Sequence, residues 1–513
     1  MNEGIASEVS LFADKVMLMR RIQSEEDQAG LHRDLDRLQT WSNNWILEFN
    51  PTKCKVIKIG EDLIYSFLPQ AVLALRVGTD GSSLQEAEEV LQQIFEYSVN
   101  TSHRHFYNQL YGGIDEVTLA ASWLIEALNT NVHTYEAAPV FTLVESFVIG
   151  RLVELFGWLD GEGIFCPGGS ISNMYGMVLA RHHTHPDIKL KGSSSTRPLV
   201  VLTSDQSHYS FKKGAVWLGL GTDNVVSVET DTYGRMLPQA LRKAVKEARE
   251  RGGEPFFVGA TAGTTVLGAF DPLEEIADVC QEEGLWLHAD ACWGGSAILS
   301  NTHKHLLQGI HRADSISWNP HKMLGVSLQC SPFIVKQKGL LQEANALSAP
   351  YLFHQDKFYD VSFDTGNKSI QCGRKGDSVK LYLTLSLHGL RHIEERVDTA
   401  FSAARYLQEQ VSTRPWFRPV LDKHQCTNTC FWYIPPSLRH KPETQDWWQQ
   451  LGKVAPLVKE RLAKAGTVML TYQPLHEKQL VNFFRMINTG VPAPTHQDMD
   501  YVLQQIETHG ADL

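Results

Sequence analysis

The 513-residue sequence lacks the long apolar runs, the basic surface and the cysteine spacing that mark three large classes of protein. No run reaches the roughly 18 to 20 apolar residues of a membrane span, and the N-terminus lacks a signal-peptide core. A net charge of −11 argues against a nucleic-acid partner. Eight scattered cysteines without a C-x-x-C pair favour reduced thiols over disulfides or a metal site. We therefore expect a cytoplasmic protein of several domains.

Short apolar segments alternate with amphipathic ones from about residue 135 to residue 375. Apolar runs bounded by turns predict strands, and apolar residues at helical spacing predict helices. Strands are predicted around Leu199, Phe256, Leu285 and Ser315, and helices over Ser83–Val99, Val117–Leu128, Leu237–Arg251 and Pro272–Glu283. This alternation predicts a mainly parallel sheet with helices on both faces, and ligands beyond the carboxyl ends of its strands. Beyond residue 395 the pattern predicts a smaller α+β domain.

The predicted strand ends carry residue types that suit a phosphorylated pyridine aldehyde. Lys322, in S-W-N-P-H-K-M-L, is a candidate Schiff-base lysine. Asp290, which ends L-W-L-H-A-D, can pair with a protonated pyridine nitrogen, and His208 can stack on the ring. The glycine-rich turn of residues 167–173 opens a helix whose N-terminus can bind a phosphate. Thr264, in A-T-A-G-T-T, can donate a hydrogen bond near the cofactor.

Each of these features also has a plain structural explanation when it is taken alone. Lysines are usually solvated surface charges, an aspartate often caps the following helix, and a Gly-Gly-Ser sequence is commonly only a turn. Together, however, they occur in the order phosphate turn, histidine, threonine turn, aspartate and lysine, each at a predicted strand end. That joint order favours a cofactor site.

From about residue 84 to its end, the sequence resembles the group II pyridoxal-phosphate amino-acid decarboxylases, in particular their glutamate and cysteine-sulfinate branch. The motifs that carry this resemblance include N-Q-L-Y-G-G-I-D, T-Y-E-A-A-P-V-F, G-I-F-C-P-G-G-S-I-S-N-M-Y, S-H-Y-S-F-K-K-G-A, H-A-D-A-C-W-G-G, N-P-H-K-M-L-G-V-S-L-Q-C-S and N-F-F-R. The resemblance implies a fold-type I PLP-dependent transferase, with a mainly parallel seven-stranded sheet and a smaller C-terminal α+β domain. It also implies pyridoxal 5'-phosphate as cofactor and a homodimer with the active site at the subunit interface.

The resemblance further implies roles for individual residues. Those expected to bind the cofactor are Lys322, Asp290, His208, Ser172, Thr264 and His321. Lys322 would attach it covalently, Asp290 would pair with its ring nitrogen, and Ser172 and His321 would help to hold its phosphate. Lys322, His208 and Tyr351 are the expected catalytic residues, with the Tyr351 hydroxyl protonating the carbon that loses its carboxylate.

The residues expected to bind the substrate are Gln109, Tyr111, Asn131, His133 and Arg485. Arg485 would hold the α-carboxylate, which suits a planar guanidinium. Tyr111 resembles the cysteine-sulfinate branch, whereas G-V-S-L-Q-C-S and V-N-F-F-R-M resemble the glutamate branch. Asn131 matches the glutamate branch, and His133 matches neither. We predict decarboxylation of L-glutamate to 4-aminobutanoate and CO2; the alternatives are a decarboxylase of cysteine sulfinate and aspartate, making hypotaurine and β-alanine, and a catalytically silent binding protein.

The first part of the chain differs from the rest. Residues 8–60 resemble a reverse-transcriptase fragment of a non-LTR retroelement, but Asp14 is followed by Lys15 where two metal-binding carboxylates are needed, so no polymerase activity is expected. The predicted division of the chain is an appended segment at 1–65, a helical arm at 66–115, a large PLP-binding domain at 116–390 and a small domain at 391–513.

Overall fold

The structure is a computed structural model that describes residues 8–12, 15–19, 64, 79–347 and 356–513. Its strands are β1 (Glu8–Phe12), β2 (Lys15–Met19), β3 (Phe106–Tyr107), β4 (Glu162–Phe165), β5 (Leu199–Ser204), β6 (Val225–Val228), β7 (Glu254–Thr261), β8 (Trp286–Ala291), β9 (Ser315–Trp318), β10 (Pro332–Val335), β11 (Phe417–Pro419), β12 (Asn428–Tyr433), β13 (Met469–Leu475) and β14 (Leu480–Ile487). Its α-helices are α1 (Leu84–Tyr97), α2 (Glu116–Leu128), α3 (Pro139–Leu155), α4 (Gly169–Thr184), α5 (Ile188–Lys191), α6 (Ser210–Trp217), α7 (Pro238–Glu250), α8 (Leu273–Glu283), α9 (Leu340–Asn345), α10 (Asp377–Thr413), α11 (Gln445–Ala465) and α12 (His496–Gly510).

The larger sheet has seven strands in the order β4-β10-β9-β8-β7-β5-β6. Strand β10 is antiparallel to both of its neighbours, and the pairs from β9 through β8, β7 and β5 to β6 are parallel. The predicted seven-stranded, mainly parallel sheet is therefore confirmed. Its register aligns Thr261, Asp290 and Ser317 across three neighbouring strands. The carboxyl ends of these strands consequently meet at one edge of the sheet.

Helices cover both faces of this sheet. Because successive strand side chains point to opposite faces, Val200 and Leu202 pack into one hydrophobic core with α3, α7 and α8, while Leu199 and Val201 pack into another with α4 and α6. The predicted strands match β5, β7, β8 and β9, and two predicted crossover helices match α7 and α8 to within one residue at each end. The sheet is thus buried on both sides, and ligands reach it only at its edges.

A second sheet of five strands, in the order β11-β12-β14-β13-β3, lies in the C-terminal part of the described chain, except that β3 comes from residues 106–107. Strand β3 pairs parallel with β13, and a third hydrophobic core joins the sheet to α11 and α12. The predicted smaller α+β unit is present. Its sheet also recruits the stretch that immediately precedes the predicted substrate residues Gln109 and Tyr111.

The long helix α10 is interrupted at Gly389. The backbone of Gly389 has φ 76° and ψ 156°, a conformation that favours glycine and breaks the helical hydrogen-bond ladder. The predicted division between residues 390 and 391 stays a prediction, and it falls next to this break.

The N-terminal part of the chain is described in pieces. Strands β1 and β2 form an antiparallel hairpin in which Phe12 lies opposite Lys15, while Asp14 and the predicted helix over Gln23–Trp41 lie outside the described residues. The resemblance to a reverse transcriptase stays a prediction. Tyr351 also lies outside the described residues.

The described cysteines are all free thiols, and only Cys372 of them is exposed. Burial raises the pKa of Cys166 and of Cys430, each to about 12. No helix within the described residues is long and apolar enough to cross a membrane.

Candidate active site

A cavity of about 220 Å³ opens at the edge of the large sheet where β7, β8 and β9 end. It is lined by Gly169, Ser170, Asn173, His208, Tyr209, Thr261, Gly263, Thr265, Asp290, Cys292, Trp293, Asn319, His321 and Lys322. Four predicted site residues therefore share one cavity: His321 and, most relevant to the chemistry, Lys322, Asp290 and His208. We call Lys322, Asp290 and His208 the cavity group.

Lys322 lies on a tight turn that follows β9. Its backbone N–H donates to the carbonyl oxygen of Asn319 at 3.0 Å. The turn directs the side chain into the cavity, where it is half-buried. A flexible amine in a partly desolvated cavity is suited to nucleophilic attachment of an aldehyde.

Asp290 lies at the end of β8 and is buried. One carboxylate oxygen accepts from the Asn173 side-chain amide at 2.8 Å, and the other accepts from the backbone N–H of Cys292 at 3.1 Å. Burial alone would raise the pKa of Asp290, but the nearby His208 and Lys322 outweigh it, and the pKa lies below its ordinary value. The carboxylate is therefore ionised, which suits pairing with a cationic ring nitrogen.

His208 precedes α6 and is half-buried beside Asp290. The backbone N–H of Ser210 donates to its Nδ1 at 3.2 Å. Burial lowers the pKa of His208, with the positive charge of Lys322 acting in the same direction and Asp290 opposing both. A neutral imidazole in this position presents a flat face that can stack on an aromatic ring.

The glycine-rich turn enters α4 at the floor of the cavity. Gly168 has φ 96°, and no side chain caps the helix within the described part of the chain. A Cβ added at Gly169 would come within 2.6 Å of the Asn319 amide nitrogen and of the Cys292 sulfur. Gly169 thus has no room for a side chain of its own, and it lines the cavity with the uncapped N-terminus of α4, whose N–H groups are suited to binding a phosphate.

A buried network behind the cavity holds Asp290 in place. The side-chain amide nitrogen of Asn173 donates to Asp290 and to the Ser210 hydroxyl, the latter at 3.0 Å. The amide oxygen of Asn173 lies 3.0 Å from Nε2 of His288. Nδ1 of His288 lies 2.8 Å from the Ser315 hydroxyl. Burial lowers the pKa of His288 to about 4, so this ring is neutral at neutral pH.

Three other predicted cofactor residues occupy different positions. His321 lines the cavity, with Nδ1 2.7 Å from the Cys330 carbonyl oxygen. Ser172 is buried within α4 and Thr264 is buried in the turn after β7, and neither lines the cavity. The Thr264 hydroxyl accepts from the Ala269 backbone N–H at 3.0 Å, so it stabilises its own turn, and Thr265 lines the cavity instead.

Arg485 lies on β14 and connects the second sheet to the cavity. Its Nη1 donates to the Thr265 carbonyl oxygen at 2.9 Å, and its Nη2 donates to the Asn108 carbonyl oxygen at 3.3 Å. Next to Asn108, Gln109 is exposed, and the half-buried Tyr111 packs beside Phe106 with ring centroids 6.3 Å apart. Arg485 therefore brings the predicted carboxylate-binding and pocket-lining segments together at the rim.

The loop pair, Asn131 and His133, lies elsewhere. The Asn131 side chain bonds the carbonyl oxygen of Cys372 at 3.0 Å and the backbone N–H of Arg374 at 2.8 Å, and His133 packs closely on Gly366. Neither residue lines the cavity. Arg374, buried and ion-paired with Glu145, also donates to the Val132 carbonyl oxygen at 3.1 Å. The structure does not bring the loop pair to the cavity group within this chain.

Some cavity residues have no role in the sequence analysis. Asn173, Asn319 and Trp293 line the cavity, and Asn173 contacts Asp290 directly. A signal for Asn173 was available, since it is a polar residue on the helix face that carries Met177 and Ala180 into the core. Within the described residues, no group of three His, Cys, Asp or Glu side chains is placed to hold a metal ion.

Comparison with known proteins identifies this arrangement. The pyridoxal-dependent decarboxylase conserved domain matches residues 71–434. Acidic amino acid decarboxylase GADL1 of Bos taurus is 52% identical over 423 residues, which cover 82% of this chain and 80% of that protein. Cysteine sulfinic acid decarboxylase of Homo sapiens is 49% identical over 443 residues, covering 86% of this chain and 89% of the relative.

Among solved structures, the crystal structure of mouse CSAD superposes with a TM-score of 0.84 at 47% sequence identity. The match covers 88% of this chain and 94% of the mouse chain.

Proposed function

Because this chain belongs to the pyridoxal-dependent decarboxylase family, a group that uses pyridoxal 5'-phosphate to decarboxylate amino acids, we propose that its own substrate is an acidic amino acid. The reaction releases the α-carboxylate as CO2. One observation carries this proposal: Lys322, His208 and the ionised Asp290 face one cavity beside an uncapped helix N-terminus. The names of the relatives, an acidic amino acid decarboxylase and a cysteine sulfinic acid decarboxylase, support the acidic substrate.

The residues present fit the cofactor. The uncapped N-terminus of α4, which lines the cavity at Gly169 and Ser170, offers N–H groups for its phosphate, and Lys322 offers an amine for its aldehyde. Asp290 offers an ionised carboxylate for the ring nitrogen, and His208 offers a neutral ring face. We assign Lys322 to covalent attachment, Asp290 to the nitrogen, and His208 to stacking. When bound, the cofactor supplies an electron-withdrawing ring that accepts the electron pair left by the departing carboxylate.

The chain supplies orientation, charge and exclusion of water. The buried Asp290 would favour a protonated ring nitrogen on the bound cofactor, since a carboxylate in a low-dielectric site strongly favours a cationic partner. The Asn173 and Cys292 donors fix the direction of that carboxylate. Lys322, which lines the cavity, would hold the cofactor through its amine and could carry a proton there when that amine is free. We keep Tyr351 as the residue proposed to protonate the product carbon.

Arg485 is proposed to hold the substrate α-carboxylate. Both of its terminal nitrogens donate to backbone carbonyls at the rim, and its buried Nε has no hydrogen-bond partner within the described residues. A buried guanidinium that only neutral carbonyl oxygens satisfy gains from an anionic partner. Gln109 and Tyr111, which follow the Asn108 that Arg485 bonds, are proposed to contact the rest of the substrate.

Two candidate substrates differ in the acidic group of their side chain. L-glutamate remains the prediction from the sequence motifs. Cysteine sulfinate is the second candidate, and two observations favour it: Tyr111 resembles that branch, and a relative with 49% identity is named for it. The loop pair, Asn131 and His133, is proposed to contact the side-chain acid. Because these residues lie away from the cavity in one chain, they would act on the cavity of a second copy.

A homodimer is proposed because the loop pair lies away from the cavity of its own chain and because the apolar face of helix α1 is exposed. Helix α1 has a capped N-terminus but buries none of its residues in the described chain. Its exposed apolar residues are Leu84, Val90, Leu91, Ile94 and Phe95. A continuous apolar helix face of this kind is stable in water when it is covered by another surface. Sedimentation velocity on the purified protein measures the oligomeric state directly.

A cytoplasmic location stays a prediction.

One assay tests the function. The protein is loaded with pyridoxal 5'-phosphate, and CO2 release is compared for L-glutamate, L-aspartate and L-cysteine sulfinate. The proposal expects release from at least one of them and none from L-lysine, which has the opposite side-chain charge. Borohydride treatment followed by peptide mass spectrometry locates the attached cofactor, expected on Lys322. Inactivity on all three acids with an unmodified Lys322 would instead support a silent binding protein.

A further inference from the structure

We propose that Arg396 and Asp115, which lie outside the cavity, form a clamp that positions Lys322. Neither residue lines the cavity; Arg396 instead bonds Asp115 and the Leu324 carbonyl oxygen. They act on the backbone that follows Lys322. This inference rests on the proposed attachment of the cofactor at Lys322.

The clamp begins with three consecutive carbonyl groups. The carbonyl oxygens of residues 323, 324 and 325 accept, in that order, from the Gly490 backbone N–H at 2.9 Å, from Nη1 of Arg396 at 3.0 Å and from the Asp115 backbone N–H at 3.0 Å. The three donors come from the segment after β14, from α10 and from the residue that caps α2. The loop that carries Lys322 is therefore held from three separate parts of the chain.

Arg396 and Asp115 are also bonded to each other. Nη2 of Arg396 donates to a carboxylate oxygen of Asp115 at 2.9 Å, and the two side chains are only 8% and 4% exposed. The same oxygen lies 2.8 Å from Nε2 of His388, and the other oxygen caps α2 through the Thr118 backbone N–H at 3.3 Å. Since the ion pair is buried, removing either charge leaves the other without its partner.

The packing around the clamp leaves no room for another arrangement. Gly325 has φ 70°, and a Cβ at this position would come within 2.7 Å of Val491. A Cβ at Gly490 would come within 2.4 Å of the Arg396 side chain. The backbone after Lys322 can therefore approach its donors only because these two positions are glycine.

The chemistry of the clamp explains why an arginine is used. Its guanidinium donates from one nitrogen to the Leu324 carbonyl oxygen and from another to Asp115, in directions fixed by a planar group. A lysine ammonium at the same place would satisfy one of these acceptors well and the other poorly. A reacting amine that shifts by about 1 Å can lose about a hundredfold in rate, so this support is directly relevant to Lys322.

The test compares the Arg396→Lys variant with the wild type, with the Arg391→Lys variant as a matched control on the exposed side of the same helix. All three proteins are loaded with pyridoxal 5'-phosphate. The rate of borohydride fixation on Lys322, the visible absorbance of the bound cofactor, kcat and KM are then measured. Arg396→Lys is expected to lower kcat by about 10- to 100-fold, to slow fixation and to alter the absorbance, with KM changing less than threefold. Arg391→Lys is expected to match the wild type in all four.

A merely structural role predicts a different result. Arg396→Lys would then lower the melting temperature while kcat, the fixation rate and the absorbance of the folded, loaded protein stay at wild-type values, and this outcome overturns the inference. Asp115→Asn provides an independent variant that keeps an oxygen for the α2 cap and removes only the charge, and it carries the same test if Arg396→Lys does not fold. The double variant is expected to lose no more than the worse single variant, because both changes break one unit.

Failure of the inference differs from failure of the proposed function. If the wild type itself leaves Lys322 unmodified after borohydride treatment, the proposed attachment is wrong. If the wild type is modified and both clamp variants behave like it, only the clamp is wrong.

Discussion

The cavity group and the loop pair differ in what places them. Asp290 ends strand β8, and Lys322 and His208 follow β9 and β5 of the same sheet, whose parallel strands end at one edge. Asn131 and His133 follow no strand, and they are placed by bonds to residues more than 200 positions away in the chain, such as Arg374. Under the proposed function, cofactor chemistry resides at the sheet edge, while substrate choice resides on loops that are proposed to act on a second copy.

Removing the lysine amine is expected to have the largest effect. Lys322→Ala should lower kcat by about a thousandfold or more, since it removes both the attachment point and a proton carrier. Lys322→Arg keeps the positive charge near Asp290 and should be equally inactive. Single-turnover CO2 release and borohydride labelling measure both effects. A kcat of Lys322→Ala above one tenth of the wild-type value would contradict the proposed attachment of the cofactor to Lys322.

Neutralising the buried carboxylate ranks second. Asp290→Asn preserves the size of the side chain but not its charge, so kcat should fall by about 10²- to 10³-fold, the range for one lost electrostatic contact in an active site. Asp290→Glu retains the charge and should retain more activity. The comparison is made at saturating substrate and cofactor. Equal kcat for the two variants would mean that the charge of Asp290 is not what matters.

The third effect concerns the network behind the cavity group. His288 has a pKa of about 4 in the folded protein, below its ordinary 6.5, because burial disfavours the charged ring. The unfolded chain therefore binds more protons between these values, and stability is lost as the pH falls from about 6.5 towards 4. Between pH 7 and pH 5 this residue should contribute about 2 kcal/mol to that loss.

Urea unfolding at both pH values, in wild type and in His288→Gln, measures the difference. Other titrating groups, such as His321 with its pKa of about 4, are present in both proteins and cancel. The variant should show the smaller loss of stability on acidification. An identical pH dependence in both proteins would contradict the assigned neutral, buried state of His288.

Changing the loop pair should have the smallest effect. His133→Asn is expected to change the ratio of kcat/KM between glutamate and cysteine sulfinate by about tenfold, the scale of a single altered contact with a substrate side chain. The absorbance of the bound cofactor should stay the same, because His133 does not line the cavity of its own chain. His305→Asn, at an exposed position, is the control. If His133→Asn changes the cofactor absorbance but not the kcat/KM ratio, then His133 affects the cofactor and not the choice of substrate.

Much of the large sheet was predictable because each strand has a sequence signal of only a few residues, a short apolar run bounded by turns. The apolar runs ending at Ser204, Thr261 and Asp290 each predict one strand, and the rules for parallel sheets then place their ends together. Strand β3 was not predictable, since it has two residues and its partner β13 lies about 360 positions later. The contact of Asn173 with Asp290 was hidden for the same reason, since no local pattern links residues 117 positions apart.

Thr264 shows the limit of motif reasoning within the site. The A-T-A-G-T-T motif predicts a hydroxyl near the cofactor, and two adjacent threonines are available for that position. The structure turns the Thr264 hydroxyl onto the Ala269 backbone N–H and leaves Thr265 on the cavity. Such a choice depends on the backbone path of the turn, which starts at Gly263 with φ 90°.

The distribution of the described cysteines allows opening of the native state to be measured by thiol reactivity. Within the described chain, Cys372 alone presents its sulfur to solvent, while six other thiols are buried. Thiol reagents act on the ionised form, so Cys166 and Cys430, with pKa values of about 12, are protected twice, by access and by protonation. Among the described cysteines, a coloured thiol reagent will therefore label Cys372 quickly and the six buried thiols only as fast as the protein opens. The slow phase reads out the opening rate of the native state without any label being introduced.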